Sequence, residues 1–296
     1  MASQSAVIES TESTISQAED EWIRQACGFY ACPVCKQGLE PVHDGFSCDL
    51  CARTYPIRSG IPDFVVVNLE ESRNRSLRVV GNWDSRPLFD FMASVYEKWV
   101  YPAVCNLFGG WHSTSLEQLA HDVSDIVGLR DGVILDAACG PGTYGRRIAS
   151  ESRTVLGIDV CMSMLRRGAQ YVERGHIPNV HFARATVETL PFRAGLFDAA
   201  ICAGSLNHFS DTVLALREIN RTMKVGAPLA VMCFALLKSG LFKYKSMRDR
   251  VEKGGKRIYS VADLERYVVE AGFEDFRSHA YGSVLVFSAR KRLAEH

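Results

Sequence analysis

The stretch Val133-Ile134-Leu135-Asp136-Ala137-Ala138-Cys139-Gly140-Pro141-Gly142-Thr143-Tyr144-Gly145 runs from an apolar segment, through a glycine-rich loop, into a helical pattern. Consecutive aliphatic residues ending at a turn read as a short strand buried on both faces. Glycines in the loop let the backbone approach a ligand where a Cβ would collide. A loop at the carboxyl end of a first strand is where doubly wound sheets bind their ligands.

Outward from this loop, strands and helices alternate. Thr154–Asp159, Val180–Ala183, Ala199–Ala203 and Pro228–Phe234 read as strands. Tyr144–Ser150, Met162–Arg174 and Asp211–Met223 read as helices between them, and Val261–Ala271 as a helix opened by Ser260, a good N-cap. Glu274–Ser278 and Ser283–Ser288, joined by a turn at Tyr281-Gly282, close the chain. The expected fold is α/β: a doubly wound, mostly parallel seven-stranded sheet of Rossmann-like type, with one antiparallel strand at the end.

The segments before this domain have a different character. Residues 1–27 are polar and acidic at the start, lack the pattern of a signal peptide, and read as a poorly ordered leader. Residues 28–70 are rich in Cys, Pro and Gly and read as small hairpins. Residues 71–130 read as a charged connector and helical cap, including an amphipathic helix over Leu116–Val127. The core then spans 131–296, with an insert at 236–258. Hydrophobic residues make up 47% of the chain, enough for an ordered core. No apolar run is long enough for a membrane span, and the cytoplasm is the expected compartment.

Two C-x-x-C pairs, Cys32/Cys35 and Cys48/Cys51, stand in the hairpin region. Each pair can turn two thiolates toward one metal, and two pairs complete a tetrahedral four-sulfur shell. This favours structural zinc over the alternatives of two disulfides or a redox pair, since a redox site carries one C-x-x-C beside a βαβ unit. A segment of about forty residues buries little apolar surface, so the metal would supply much of its folding energy. His43 lies between the pairs, but four Cys already fill the shell. The remaining cysteines are scattered and read as buried reduced thiols.

Taken literally, Gly140-x-Gly142-x-x-Gly145 also matches the dinucleotide fingerprint. Asp136, four residues before Gly140, argues against it, because a carboxylate there repels a pyrophosphate and suits a ligand carrying an ammonium and a sulfonium. Asp159 ends the next strand, where it can accept hydrogen bonds from ribose hydroxyls in either cofactor class.

The segments LDAACGPGTYGRRIA, GIDVCMSML, VETLPF, FDAAICAGSLNHFSD and REINRTMKVGAPL resemble, in order and spacing, the motifs of class I S-adenosylmethionine-dependent methyltransferases of the UbiE-like type, over roughly residues 130–290. CPVC, CDLC and YPIRSGIPDF resemble the zinc ribbon attached to some of these enzymes, ribosomal-RNA guanine methyltransferases among them. The resemblance implies that Asp136, Ala138, Gly140 and Gly142 line the methionine and ribose end of S-adenosylmethionine. It implies that Asp159 holds the ribose, that Val160 and Met164 lie beside the adenine, and that Ala203 faces the cofactor. Where the family usually has an Asp contacting the adenine amino group, this chain has Thr186 followed by Val187. A hydroxyl makes that contact weaker.

Asn207-His208 stands where the family often has two histidines or a Leu-His; the resemblance places His208 near the transferable methyl, and Asn207 is expected to contact the substrate. His208 is either a base for the acceptor, its ordinary pKa being near neutrality, or a residue that caps the next helix or packs beneath the cofactor. Substrate contacts are expected from the aromatic cap, with Tyr96, Trp99 and Tyr101, and from the insert that carries Tyr244. The insert is locally basic, which suits a lid over an anionic substrate, contact with RNA, or a solvated helix face. Zero formal net charge and the aromatic cap favour a small, partly hydrophobic metabolite as acceptor. An RNA base is the second reading, and an S-adenosylmethionine-binding protein with another reaction the third.

Overall fold

The computed structural model describes residues 26, 28–65, 95–100, 103, 116–128, 131–149, 153–238, 241–253 and 255–293. Seven strands form the main sheet: β5 (Gly132–Ala137), β6 (Arg153–Asp159), β7 (Val180–Arg184), β8 (Ala199–Ala203), β9 (Pro228–Phe234), β10 (Phe273–Tyr281) and β11 (Val284–Lys291). Their order is β10-β11-β9-β8-β5-β6-β7. The β5–β9 pairings are parallel, while β11 runs antiparallel to both β9 and β10. The expected sheet, with its single reversed strand, is therefore present.

Among the described residues the helices are α1 (Leu116–Val127), α2 (Gly145–Ile148), α3 (Met162–Gly175), α4 (Thr212–Thr222), α5 (Lys245–Lys253) and α6 (Val261–Glu270). Successive residues of a strand point to opposite faces, so each central strand feeds two cores. Ile134, Val155 and Ile201 meet Val123 and Val127 of α1, Ile148 of α2 and Leu165 of α3 on one face. Leu135, Leu156 and Cys202 meet Leu216 and Ile219 of α4 and Leu264 and Val268 of α6 on the other. Side-chain caps fix two helix starts: the Asp211 carboxylate accepts from Leu214 N at 2.9 Å, and Ser260 forms a capping box with Asp263.

Four short strands, β1 (Glu40–Val42), β2 (Gly45–Cys48), β3 (Arg53–Arg58) and β4 (Ile61–Pro62), make an antiparallel N-terminal sheet. This ribbon shares a hydrophobic core with the α4/α6 face of the main sheet. Tyr30 meets Phe46 and Phe64 within the ribbon and stacks on Phe192 of the larger domain at 5.4 Å between centroids. Main-chain bonds complete the junction, from Ala31 N to Pro191 O and from Phe64 N to Arg184 O.

The cap expected over 71–130 is described in part. Tyr96–Val100 form a π-helical turn, and α1 packs on the sheet through Val123 and Val127, as part of the sheet's own helical layer. The connector at 70–78 lies outside the described residues. In the insert, a 3-10 turn at Leu241–Lys243 precedes α5. Phe242 anchors the turn against Phe234, whereas α5 buries none of its side chains.

Candidate active site and metal centre

The cofactor candidates from the sequence converge at the carboxyl ends of β5, β6, β7 and β8. The direction of chain winding reverses between β5 and β8, and this is where open α/β sheets place ligands. Asp136 lies near the end of β5, buried, with one carboxylate oxygen accepting Gly145 N at 3.0 Å. A Cβ on Gly145 would fall 2.8 Å from that oxygen, so only glycine lets α2 begin so close to the carboxylate. Burial pushes Asp136 up to about 7, against the Gly145 bond and with help from the nearby Asp159 charge.

Asp159 ties the loop to the second strand. Its carboxylate accepts Gly140 N at 2.9 Å and Cys161 N at 2.8 Å. Each carboxylate oxygen has more than one acceptor site, so ribose hydroxyls can still be bound. Gly140 has φ +55°, and a Cβ built there meets nothing within 4 Å. The loop thus presents backbone to open space. A buried carboxylate for a cation, a second acid for a diol and an open glycine between them fit S-adenosylmethionine. Ala138, another loop residue with positive φ, accepts a bond at its carbonyl from Ser205 Oγ at 3.2 Å, just beyond Ala203. Thr186 and Val187 are both buried after β7, and Thr186 Oγ1 lies 2.8 Å from Thr189 Oγ1. The Val160 carbonyl accepts Arg184 Nε at 2.9 Å. Met164 is half-buried on the first turn of α3.

The acceptor side departs from expectation at Asn207. This residue is fully buried, and its side chain is spent on backbone. Nδ2 donates to Phe234 O at 2.8 Å and to Arg257 O at 2.6 Å, while Oδ1 accepts Phe234 N at 2.8 Å. Asn207 therefore clamps the loop after β8 to the end of β9 and to the insert, in place of the substrate contact expected of it. His208 follows on a 3-10 turn and is open to solvent. Burial on its inner side and the Lys256 ammonium push the imidazole down to about 4. It is thus neutral at pH 7, but a weak base. Tyr244 is exposed, with the Lys243 ammonium over its ring. Tyr96 lies in the π-helical turn, its side chain outside what is described, and Tyr101 lies outside the described residues. The neighbouring Trp99 is exposed.

Sequence reasoning missed three contributors. Glu97 of the cap binds Arg146 and Arg147, which in turn hold the carbonyls of Pro141 and Thr143 in the glycine loop. Lys256 comes near enough to act on the His208 imidazole through its charge because Asn207 and Arg257 are bonded to each other. Arg184 joins the ribbon to Val160. None carries a motif, since each depends on segments brought together only by the fold.

In the ribbon, the Sγ atoms of Cys32, Cys35, Cys48 and Cys51 all lie within 4.8 Å of one another. Cys32 and Cys51 are 3.9 Å apart and Cys35 and Cys48 3.5 Å. Zinc–sulfur bonds of about 2.3 Å in a tetrahedron place sulfurs roughly 3.8 Å apart, whereas a disulfide requires about 2.05 Å. The donor set therefore fits a four-thiolate zinc. Burial raises the Cys32 thiol, but the Tyr55 hydroxyl at 3.1 Å and backbone N–H groups outweigh it, bringing it down to about 6. Cys51 is pushed up to about 12 by its hydrogen bonds to the neighbouring thiols and by burial. Four thiols so close cannot all ionise without a cation. His43 points to solvent and pairs with Asp44. Cys139, Cys161, Cys202 and Cys233 are buried and form no disulfide, as expected; Cys27 and Cys105 lie outside the described residues.

A methyltransferase-domain family model matches residues 134–226. An uncharacterized chloroplastic methyltransferase of Arabidopsis thaliana is 22% identical over 281 residues, covering 88% of this chain and 78% of that protein. The ubiquinone/menaquinone biosynthesis C-methyltransferase UbiE of Syntrophotalea carbinolica is 30% identical over 178 residues, covering 58% of this chain and 72% of the enzyme. Other UbiE enzymes are matched over 61–62% of their own length. The fold resembles phosphoethanolamine N-methyltransferase 2 of Haemonchus contortus, solved with S-adenosylmethionine, with a TM-score of 0.59 at 16% identity over 81% of this chain and 62% of that one. The chain belongs to the class I S-adenosylmethionine-dependent methyltransferases. Among the described residues, no helix is long and apolar enough to cross a membrane.

Proposed function

We propose that this protein transfers the methyl group of S-adenosylmethionine to a small, partly hydrophobic metabolite, by in-line displacement at the methyl carbon. The buried Asp136 carboxylate, facing an open glycine loop with Asp159 beside it, carries the reading. When bound, S-adenosylmethionine supplies an activated methyl on a sulfonium and a neutral thioether as leaving group. The chain's own residues hold and orient. Asp136 neutralises positive charge, Asp159 fixes the ribose, and the Asn207 clamp sets the loop that carries His208. His208 accepts a hydrogen bond from the acceptor group and so orients it; the release of the acceptor proton is completed by solvent.

The UbiE relatives are named for ubiquinone and menaquinone C-methylation, so a ring carbon activated by a neighbouring hydroxyl is a first acceptor to try. Formation of S-adenosylhomocysteine from S-adenosylmethionine with phenolic and quinol acceptors tests the reading. Turnover with none of them, alongside turnover with RNA, would replace it. RNA is a second reading because α5 exposes Lys245, Arg250 and Lys253 without burying a side chain. Binding to RNA that weakens steeply with salt would favour it. The third reading, cofactor binding in service of another reaction, fails on any stoichiometric methyl transfer. We place the protein in the cytoplasm, where a four-thiolate centre stays reduced. The boundaries we propose are a leader at 1–27, a ribbon at 28–70, a cap and linker at 71–130, and a core from 131, to whose helical layer α1 contributes.

A further inference from the structure

The ribbon's metal ligands are closed chemistry, so its contribution lies in what it touches. It touches the adenosine half of the cofactor site. Asp63, at the end of the ribbon, is buried, and its Oδ2 lies 3.3 Å from a guanidinium nitrogen of Arg184, the last residue of β7. The same guanidinium donates through Nε to the carbonyl of Val160 at 2.9 Å. Val160 directly follows Asp159, the acid assigned to the ribose. The main chain repeats the connection. Phe64 N donates to Arg184 O at 2.8 Å, and Ala185 N donates to Asp159 O at 3.1 Å. Asp63 also pairs with Arg184 as a parallel bridge, extending the sheet beyond its edge strand β7.

On the ribbon side, the path runs back to the thiolates. Asp63 N donates to Pro56 O at 2.8 Å on β3, and the neighbouring Tyr55 reaches Cys32 Sγ with its hydroxyl at 3.1 Å. An arginine that is nearly buried, with a carboxylate on one side and a carbonyl on the other, has a fixed direction, because its donors form a rigid planar fork.

We infer that the ribbon's Asp63 sets the geometry of the adenosine subsite, by holding Arg184 against the Val160 carbonyl and thereby fixing the turn that presents Asp159. Arg184 and Asp63 are then positioning residues for the cofactor, and the ribbon is a brace on its site. The inference rests on the proposed reading of Asp159 as the ribose acid.

The test is calorimetry with zinc-loaded, full-length protein, using S-adenosylhomocysteine and 5′-methylthioadenosine as probes. Wild type, Asp63→Asn, Arg184→Gln and the double variant are compared. Each single variant is expected to bind both probes about tenfold more weakly, a loss on the order of one charge-assisted hydrogen bond. The double variant is expected to be no worse than Arg184→Gln, since both act through one contact. Zinc content should stay at one per chain. Should Arg184→Gln not fold, the nearly isosteric Asp63→Asn carries the test. Unchanged affinity in Asp63→Asn would overturn the inference, as would additive losses, or a loss for S-adenosylhomocysteine alone, which would place the effect at the amino-acid end. A wild type that binds neither probe would overturn the cofactor reading itself, whereas a wild type that binds, with variants that bind equally, overturns only the brace.

Discussion

Lowering the pH should loosen the cofactor by titrating one buried group. Asp136 has its carboxyl pushed up to about 7 by burial, and it stands at the base of the glycine loop that the proposed reading gives to a cationic ligand. Only the ionised form attracts an ammonium or sulfonium. The apparent dissociation constant therefore scales as one plus the ratio of protonated to ionised Asp136, about 1.3 at pH 7.5 and about 11 at pH 6.0. Affinity for S-adenosylhomocysteine should fall about eightfold across that window. At pH 7, binding should release up to about half a proton, seen as a dependence of the calorimetric heat on the buffer's ionisation enthalpy. 5′-Methylthioadenosine, which lacks the ammonium, should bind with little pH dependence, and Asp136→Asn should flatten the profile for S-adenosylhomocysteine.

The same displacement carries a stability consequence of defined sign. The folded protein holds this proton more tightly than the unfolded chain, so the unliganded protein gains stability as pH falls from above 7 toward 4 and loses it as Asp136 ionises. A rise from 3.8 to about 7 is worth about 4 kcal/mol as an upper bound. Unliganded Asp136→Asn should therefore melt higher than wild type at pH 8, with the gap narrowing as pH falls and closing only toward pH 4. A flat affinity profile in the wild type, or an equal slope with methylthioadenosine, would refute the reasoning.

The metal centre should bind one zinc per chain, and Cys32→Ser should lose zinc and lower the melting temperature together; full zinc retention by inductively coupled plasma analysis would contradict the ligand set. Tyr55→Phe, which removes the hydroxyl 3.1 Å from Cys32 Sγ, should weaken zinc about 10–100-fold in competition with a chromophoric chelator. Asn207→Ala strips three bonds from buried backbone groups and should cost about 2–4 kcal/mol in urea unfolding; a cost below 1 would mean that the clamp is dispensable. Lys256→Met should raise the His208 imidazole from about 4 toward its ordinary value, because a neighbouring cation has been removed, and NMR titration of the ring protons would show an unmoved midpoint if the two do not face each other.

Strand and helix placement was legible because hydrophobic period and turn chemistry are local. The strand at Pro228–Phe234 and the helix at Leu116–Val127 have the bounds their patterns imply. The cysteine cluster was legible for the same reason, since C-x-x-C spacing acts within one turn. Asn207 was misjudged because its neighbour in the motif suggested the substrate, while its partners, Phe234 and Arg257, lie 27 and 50 residues away. The helix α5 was legible only as one of three readings of the basic insert, because its residues, KSMRDRVEK, offer no apolar stripe.

The sequence by itself determined the class of fold, the glycine loop from Asp136 to Gly145 at the end of a strand, Asp159 at the end of the next strand and the cluster of four cysteines. Each of these is written in a short segment whose spacing alone brings its groups together. Only the tertiary structure decided that Asp136 is buried, that Asn207 is a clamp, that Lys256 lies close enough to act on His208, and that the ribbon meets Val160 through Asp63 and Arg184. Those outcomes depend on desolvation and on contacts between distant segments, which exist only once two faces of one sheet have been packed.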